Sequence, residues 1–350
     1  MNRSFPTQSK PPTGLSRIST IDSLRGIASL AVCWFHLTNG NPIFLQDGIL
    51  KTSGSYGWLG VEMFFVISGF VIPFSLHKAN YELKFFGTFV AKRIIRLDPP
   101  YLVSIVIILV LGFISVHIPG FRGEPFKVSP VMVLLHLGYL NVFFGYEWLN
   151  PVFWTLAIEL QYYLLIGSIY PLISSEKTFR RYLVFAILGA AALLFKSEAF
   201  LPHWLFLFLM GIVTFNLQSG LIARSQYFVI LSLFGIGLFF THGLVICAVG
   251  LSTALLIAFV RIEARIFTFL GAISYSLYLL HVPIGGRVIN FATHHPHSIG
   301  IKILFLAVAL AAAIFASYLL YLFVEKPSQK LSSKIRYRRS SNQSSSTATA

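Results

Sequence analysis

Apolar residues in this chain do not alternate with polar ones. They come in long unbroken runs, with charged positions gathered between them. Runs such as Leu102 to Leu111 and Ile303 to Phe315 hold no charged residue, which excludes the alternating dyads of a membrane β-barrel strand. Ten apolar segments can be marked off, at 22–38, 58–76, 101–118, 152–173, 183–199, 201–217, 226–241, 243–260, 267–284 and 302–324. Each is about as long as a helix needs to be to cross hydrocarbon, allowing for tilt. The pattern predicts an all-α fold, a polytopic transmembrane helical bundle of about ten spans.

Composition supports this. Of 350 residues, 56% are hydrophobic and 11% charged, against about 25% charged in a soluble domain, so a soluble globular enzyme is excluded. Cys33 and Cys247 both fall inside apolar runs, which predicts packing roles and no disulfide framework. The first apolar stretch contains Arg25 and lacks a small-residue cleavage site, so it reads as an uncleaved first helix. The chain divides into a cytoplasmic segment, 1–20, a transmembrane domain, 21–327, and a basic then Ser/Thr-rich tail, 328–350, expected to be disordered.

Lys and Arg number 27 against 12 Asp and Glu, a net charge of +15. With the N-terminus cytoplasmic, 21 of the 27 basic residues fall inside and six outside. The positive-inside bias therefore accounts for the charge, and both termini are expected to be cytoplasmic. The apolar stretch Val131 to Phe144 would reverse every later loop if it crossed. It is therefore expected to be a re-entrant or interfacial element on the outer side, packed against protein.

Ionisable side chains at membrane depth cost several kcal/mol each, so each is a functional candidate. Arg25 and His36 are eleven residues apart, which returns to within about 20° of one helix face and climbs about 16 Å. Glu62 and Glu159 fall near the outer ends of the second and fourth predicted spans. Thr155, Glu159, Tyr162 and Tyr163 form one stripe, and Ser274, Tyr278 and His281 another. Lys92, Arg93 and Arg96 make a cationic face before Pro99 and Pro100, which are expected to stop the helix; phosphates are its natural partner.

These residues sit in a series of motifs. Ten residues separate Arg25 from His36; then come GVEMFFVISGF, Arg93-Ile-Ile-Arg96 with Leu97 and Pro99, WTLAIELQYY, SYSLYLLHVP and Val324-Glu325-Lys326-Pro327. In this order and spacing, from Ile21 to Pro327, the chain resembles the acyltransferase-3 family of integral membrane acyltransferases. Glu62 departs from it, since the family more commonly has aspartate there.

The resemblance implies a membrane-bound O-acyltransferase of the bacterial inner membrane. It would move an acyl group, most often acetyl, from cytoplasmic acyl-CoA to a hydroxyl of a cell-envelope polysaccharide or its lipid-linked precursor. His36 would be the base or a transient acyl carrier, and Glu159 or Glu62 would orient an imidazole or bind sugar hydroxyls. Arg25, Arg93 and Arg96 would hold the nucleotide end of CoA. Trp154, Tyr163, Ser274, Tyr278 and His281 would contact substrate. No metal and no nucleic acid are expected, and the His294, His295 and His297 loop reads as solvent-facing. A proton-coupled transporter or flippase is the alternative class, although no duplicated halves are visible in the sequence.

Overall fold

A computed structural model describes residues 14–117, 127–294 and 297–337, with the side chains of 14–18 outside that description. The described residues are helical and contain no strand. The helices are α1 (Gly14–Asn39), α2 (Ile49–Gly54), α3 (Gly60–Lys78), α4 (Phe86–Val116), α5 (Pro130–Leu137), α6 (Phe153–Ile173) and α7 (Thr178–Leu194). They continue as α8 (Leu201–Gln218), α9 (Arg224–Phe259), α10 (Arg265–Ala272), α11 (Ser274–Leu280), α12 (Arg287–Ala292), α13 (Ile299–Leu320) and α14 (Lys326–Lys334). Six of the described helical segments are long and apolar enough to cross a membrane, or seven if the bent pair Arg265–Ala272 and Ser274–Ala292 is one span. This is an integral membrane protein.

Apolar surface gives no association energy between helices in lipid, so small residues that let backbones approach closely hold such bundles together. Two pairs do so here. A Cβ on Gly26 would strike the Phe267 carbonyl, and one on Gly271 would strike the Asp22 carbonyl, so α1 and α10 touch backbone to backbone. Gly69 and Gly211 bring α3 and α8 together in the same way.

Contacts along the helices fix their relative directions. Arg25 meets Ser274 and His36 meets His281, so α1 runs in the same sense as α10 and α11. Ser68 meets Glu159 and His77 meets Tyr170, so α3 and α6 also run together. At Gly243 the backbone takes φ 80°, and α9 folds back on itself there. Phe228 stacks on Phe259, and the Cys247 thiol bonds the Gly235 carbonyl, as in an antiparallel hairpin. That reversal separates the two apolar runs read at 226–241 and 243–260. Cys33 and Cys247 are both free and buried.

Several expectations need correction. Pro99 and Pro100 do not stop the helix, because α4 continues through them for 31 residues. A proline removes only its own N–H, and with no water in the bilayer to compete, the helix persists past the freed carbonyls. Glu62 is not at the outer end of its crossing. A Cβ on Gly60 would meet the Ala28 carbonyl, which sets the first turn of α3 beside the middle of α1. The crossing segment runs from Ile49 to Lys78. The tail is ordered at its start, since α14 docks on α4. There Lys92 Nζ donates to the carbonyls of Ser332 and Ile335 (3.2 and 2.6 Å). Residues 338–350 lie outside the described residues, as does His295.

The stretch 131–144 is not a crossing. It breaks into the eight residues of α5 and a short 3₁₀ turn. Its tip, Tyr139, has φ 57°, an uncommon conformation for a bulky residue. The ring stacks on Tyr101 at 4.7 Å and the hydroxyl donates to Asp98 (3.1 Å). Asp98 lies about 27 Å below the end of α4 at 1.5 Å per residue, so the element dips deep into the bundle. Leu134 and Phe143 remain 64% and 58% exposed, an apolar face toward lipid.

The α1–α10 contact leads to a prediction. Gly26→Val or Gly271→Val is expected to force the two helices apart and lower the thermal midpoint in detergent by several degrees. Gly300→Val, at a glycine with nothing within 4 Å of a built Cβ, should leave it unchanged. Fluorescence-detected size-exclusion after heating measures both.

Candidate active site

Five helices, α1, α3, α4, α6 and α11, enclose a cavity of about 100 Å³. Each contributes polar groups at the turns that face inward. Arg25 comes from α1, Ser68 from α3, Arg93 and Arg96 from α4, Thr155, Glu159 and Tyr163 from α6, and Ser274 and Tyr278 from α11. Spacing of three, four or seven residues within each helix puts these groups on one face.

The lower part is strongly cationic. Arg25 Nε donates to Ser274 Oγ (3.2 Å), and Arg93 Nη2 to Ser75 Oγ (3.4 Å). The Arg93 guanidinium also lies over the Phe89 and Tyr163 rings. Among the described residues, none of the three arginines pairs with a carboxylate within 4 Å. Glu159 instead accepts hydrogen bonds from Ser68 (3.0 Å) and Tyr163 (2.5 Å). Glu325 accepts from the backbone and hydroxyl of Ser276. Three guanidinium groups, none with a carboxylate within 4 Å, offer the charge and the donors that a multiply charged anion would require.

The upper end narrows. Tyr278 and Thr155 hydroxyls are hydrogen-bonded at 2.7 Å, and Phe64 meets the Tyr278 ring edge-on. Past Tyr278 stands His281, its ring 5.9 Å away, and His281 Nε2 is 3.2 Å from His36 Nδ1. His36 is half-buried and His281 is 1% exposed. The Tyr278 ring thus stands between the arginine-lined cavity and a pair of imidazoles.

The structure therefore brings together Arg25, Arg93, Arg96, Glu159, Tyr163, Ser274 and Tyr278 around one space. His36 and His281 adjoin it without lining it. Glu62 does not line it either; it is 3% exposed, with Oε2 unpartnered. Trp154 packs between Phe65 and Trp204 and stays off the cavity wall. Neither Glu62 nor Glu159 touches His36, so the expected carboxylate-to-imidazole contact is replaced by an imidazole-to-imidazole one. Lys92 is engaged by α14 and leaves the cationic face to Arg93 and Arg96. Ser68 and Tyr275 line the cavity but escaped the sequence reading. Ser68 is the one hydroxyl in the apolar run from Met63 to Phe70, and that was the available signal. Among the described residues no group of three or more His, Cys, Asp or Glu could hold a metal ion.

An arginine-lined cavity adjoins a histidine pair inside a helical membrane bundle. Residues 18–322 match the family model described as "Acyltransferase domain", Acyl_transf_3, and the chain belongs to that acyltransferase-3 family. A protein of Acidianus two-tailed virus, named "Putative acetyltransferase ORF330", is 26% identical over 291 residues, which cover 75% of this chain and 82% of that relative. No solved structure matches the chain.

The constriction can be tested directly. Tyr278→Phe and Thr155→Val are each expected to cost about 0.5–1.5 kcal/mol of stability. The double variant should cost little more than Thr155→Val alone, since both remove the Thr155–Tyr278 bond and Thr155→Val also removes the hydroxyl's bond to the Val152 carbonyl. A double-mutant cycle of unfolding in mixed micelles reads the coupling.

Proposed function

We propose that this protein transfers an acyl group, most simply acetyl, from cytoplasmic acyl-CoA to a hydroxyl of a cell-envelope glycan or its lipid-linked precursor. The observation that carries this reading is the set of three arginines, unpartnered by carboxylates, on one cavity that ends at Tyr278 beside His36. CoA is a polyphosphate at its nucleotide end and a slender, uncharged chain at its thioester end. Arg25, Arg93 and Arg96 suit the first, and the narrowing passage of Phe64, Thr155 and Tyr278 suits the second. The climb from Arg25 to His36, about 16 Å along α1, is within the length of an extended pantetheine arm.

A sugar hydroxyl is a weak nucleophile near neutral pH. His36 acts as the base that takes its proton during attack on the thioester carbonyl, since imidazole has a basicity matched to that task. Glu159, held by Ser68 and Tyr163 on the same cavity, is placed to bind sugar hydroxyls.

The same reading includes the topology. Ten crossings, with both termini cytoplasmic in a bacterial inner membrane, follow if α2–α3 and α10–α12 each count once and the α9 hairpin twice. The alternating helix directions and the positive-inside bias support this arrangement.

Two experiments test these claims. Membranes bearing wild type or His36→Ala, matched for abundance, are incubated with radiolabelled acetyl-CoA and the label is followed into the glycan fraction. His36→Ala is expected to lose at least about a hundredfold in rate, and Arg93→Ala/Arg96→Ala to lose acetyl-CoA affinity; full transfer by His36→Ala overturns the base assignment. For topology, a cysteine replacing Glu176 in a Cys33→Ala/Cys247→Ala background should resist a membrane-impermeant maleimide in intact cells. Labelling from outside overturns the ten-span reading.

A further inference from the structure

The two imidazoles are arranged asymmetrically, and their partners assign a hydrogen to each ring. His281 Nδ1 is 2.9 Å from the Leu277 carbonyl oxygen, and His36 Nδ1 is 2.9 Å from that of Val32. A carbonyl only accepts, so each Nδ1 carries its hydrogen. His281 Nε2 lies 3.2 Å from His36 Nδ1. Two N–H groups would repel at that distance, so His281 Nε2 presents a lone pair. The His36 Nδ1–H is thus shared between two acceptors, Val32 O and His281 Nε2. His36 Nε2 is left as the basic nitrogen, with no bond to any described residue.

His281 has no atom left to offer a substrate. It is 1% exposed, does not line the cavity, and both ring nitrogens are engaged. It also opens a π turn, His281–Gly286, that contains Pro283. Such single wide turns recur at functional sites. Among the described residues no carboxylate bonds either imidazole: Glu159 is held by Ser68 and Tyr163, and Glu62 Oε2 has no partner.

Resting on the reading of His36 as base, we propose that His281 is the positioning residue of the transfer, doing with a neutral imidazole what a carboxylate does in a hydrolase triad. It holds the His36 ring so that Nε2 carries the lone pair, and it stabilises the cation that forms there. As the acceptor oxygen bonds to the thioester carbonyl carbon, its proton passes to His36 Nε2. The N–H···N bond to His281 then becomes charge-assisted and strengthens. When the tetrahedral intermediate breaks its carbon–sulfur bond, the proton leaves Nε2 for the departing CoA sulfur. Both rings end neutral, and no proton is gained or lost overall.

The test compares His281→Phe, which keeps bulk but offers no acceptor, with His281→Gln, whose side-chain oxygen can lie near the former Nε2 and accept from His36. Purified proteins are checked for monodispersity, and kcat and KM for acetyl-CoA are measured. His281→Phe is expected to lose on the order of ten- to a hundredfold in kcat, the size of one hydrogen bond to a charged group, with KM unchanged. His281→Gln should recover most of it. Equal losses in both variants, a loss confined to KM, or full activity in His281→Phe overturns the proposal. Should His281→Phe not fold, His281→Leu takes its place. His36→Ala is run alongside: if it stays active, the base assignment itself fails, whereas an inactive His36→Ala with an unaffected His281→Phe removes only the role of His281.

Discussion

A guanidinium in hydrocarbon is among the costliest groups a membrane protein can carry, and this bundle collects three of them at one level. Everything around them answers that cost. Arg25 is held to Ser274 because α1 and α10 meet backbone to backbone at Gly26 and Gly271. Arg93 finds two aromatic faces and a serine. Arg96 lines the same cavity with no carboxylate within 4 Å. The polar lining of α6 and α11 completes a cavity that nowhere supplies a direct counter-ion, so the compensation is left to whatever anion enters.

One helix shows how finely the cations are divided. Lys92, Arg93 and Arg96 are neighbours in sequence, and Lys92 and Arg96 share a helix face one turn apart, yet the three take different tasks. Lys92 closes the carbonyl end of α14, which makes the segment after the last long helix part of the fold. Arg93 and Arg96 turn toward the cavity. A lysine suits the first role, where a compact cation meets two carbonyls, and the planar fork of arginine suits the second.

Much of this was legible in the sequence. The ten apolar runs coincide with helices or with halves of helices, and the stripe of Arg25 and His36 and that of Ser274, Tyr278 and His281 do fall on facing surfaces. What spacing within a helix cannot reveal is which helices are neighbours. The meeting of His36 with His281, 245 residues apart, depends on α1 and α11 running in the same sense, which the glycine contact sets. The depth of Glu62 was misjudged for a similar reason, since Gly60 against Ala28 is a three-dimensional fact. The two prolines of α4 misled because rules for helix ends are learned in water, where a freed carbonyl finds a solvent partner.

The dipping element around Tyr139 has a consequence for how the protein is made. Eight helical residues and a strained tyrosine are too little to enter a bilayer alone, and the Asp98 that anchors the tip is on a helix synthesised earlier. The Phe153 ring beside Tyr101 belongs to a helix synthesised later. The segment can therefore take its place only once helices on both sides of it in the chain are inserted, so it settles as a loop between partners already standing.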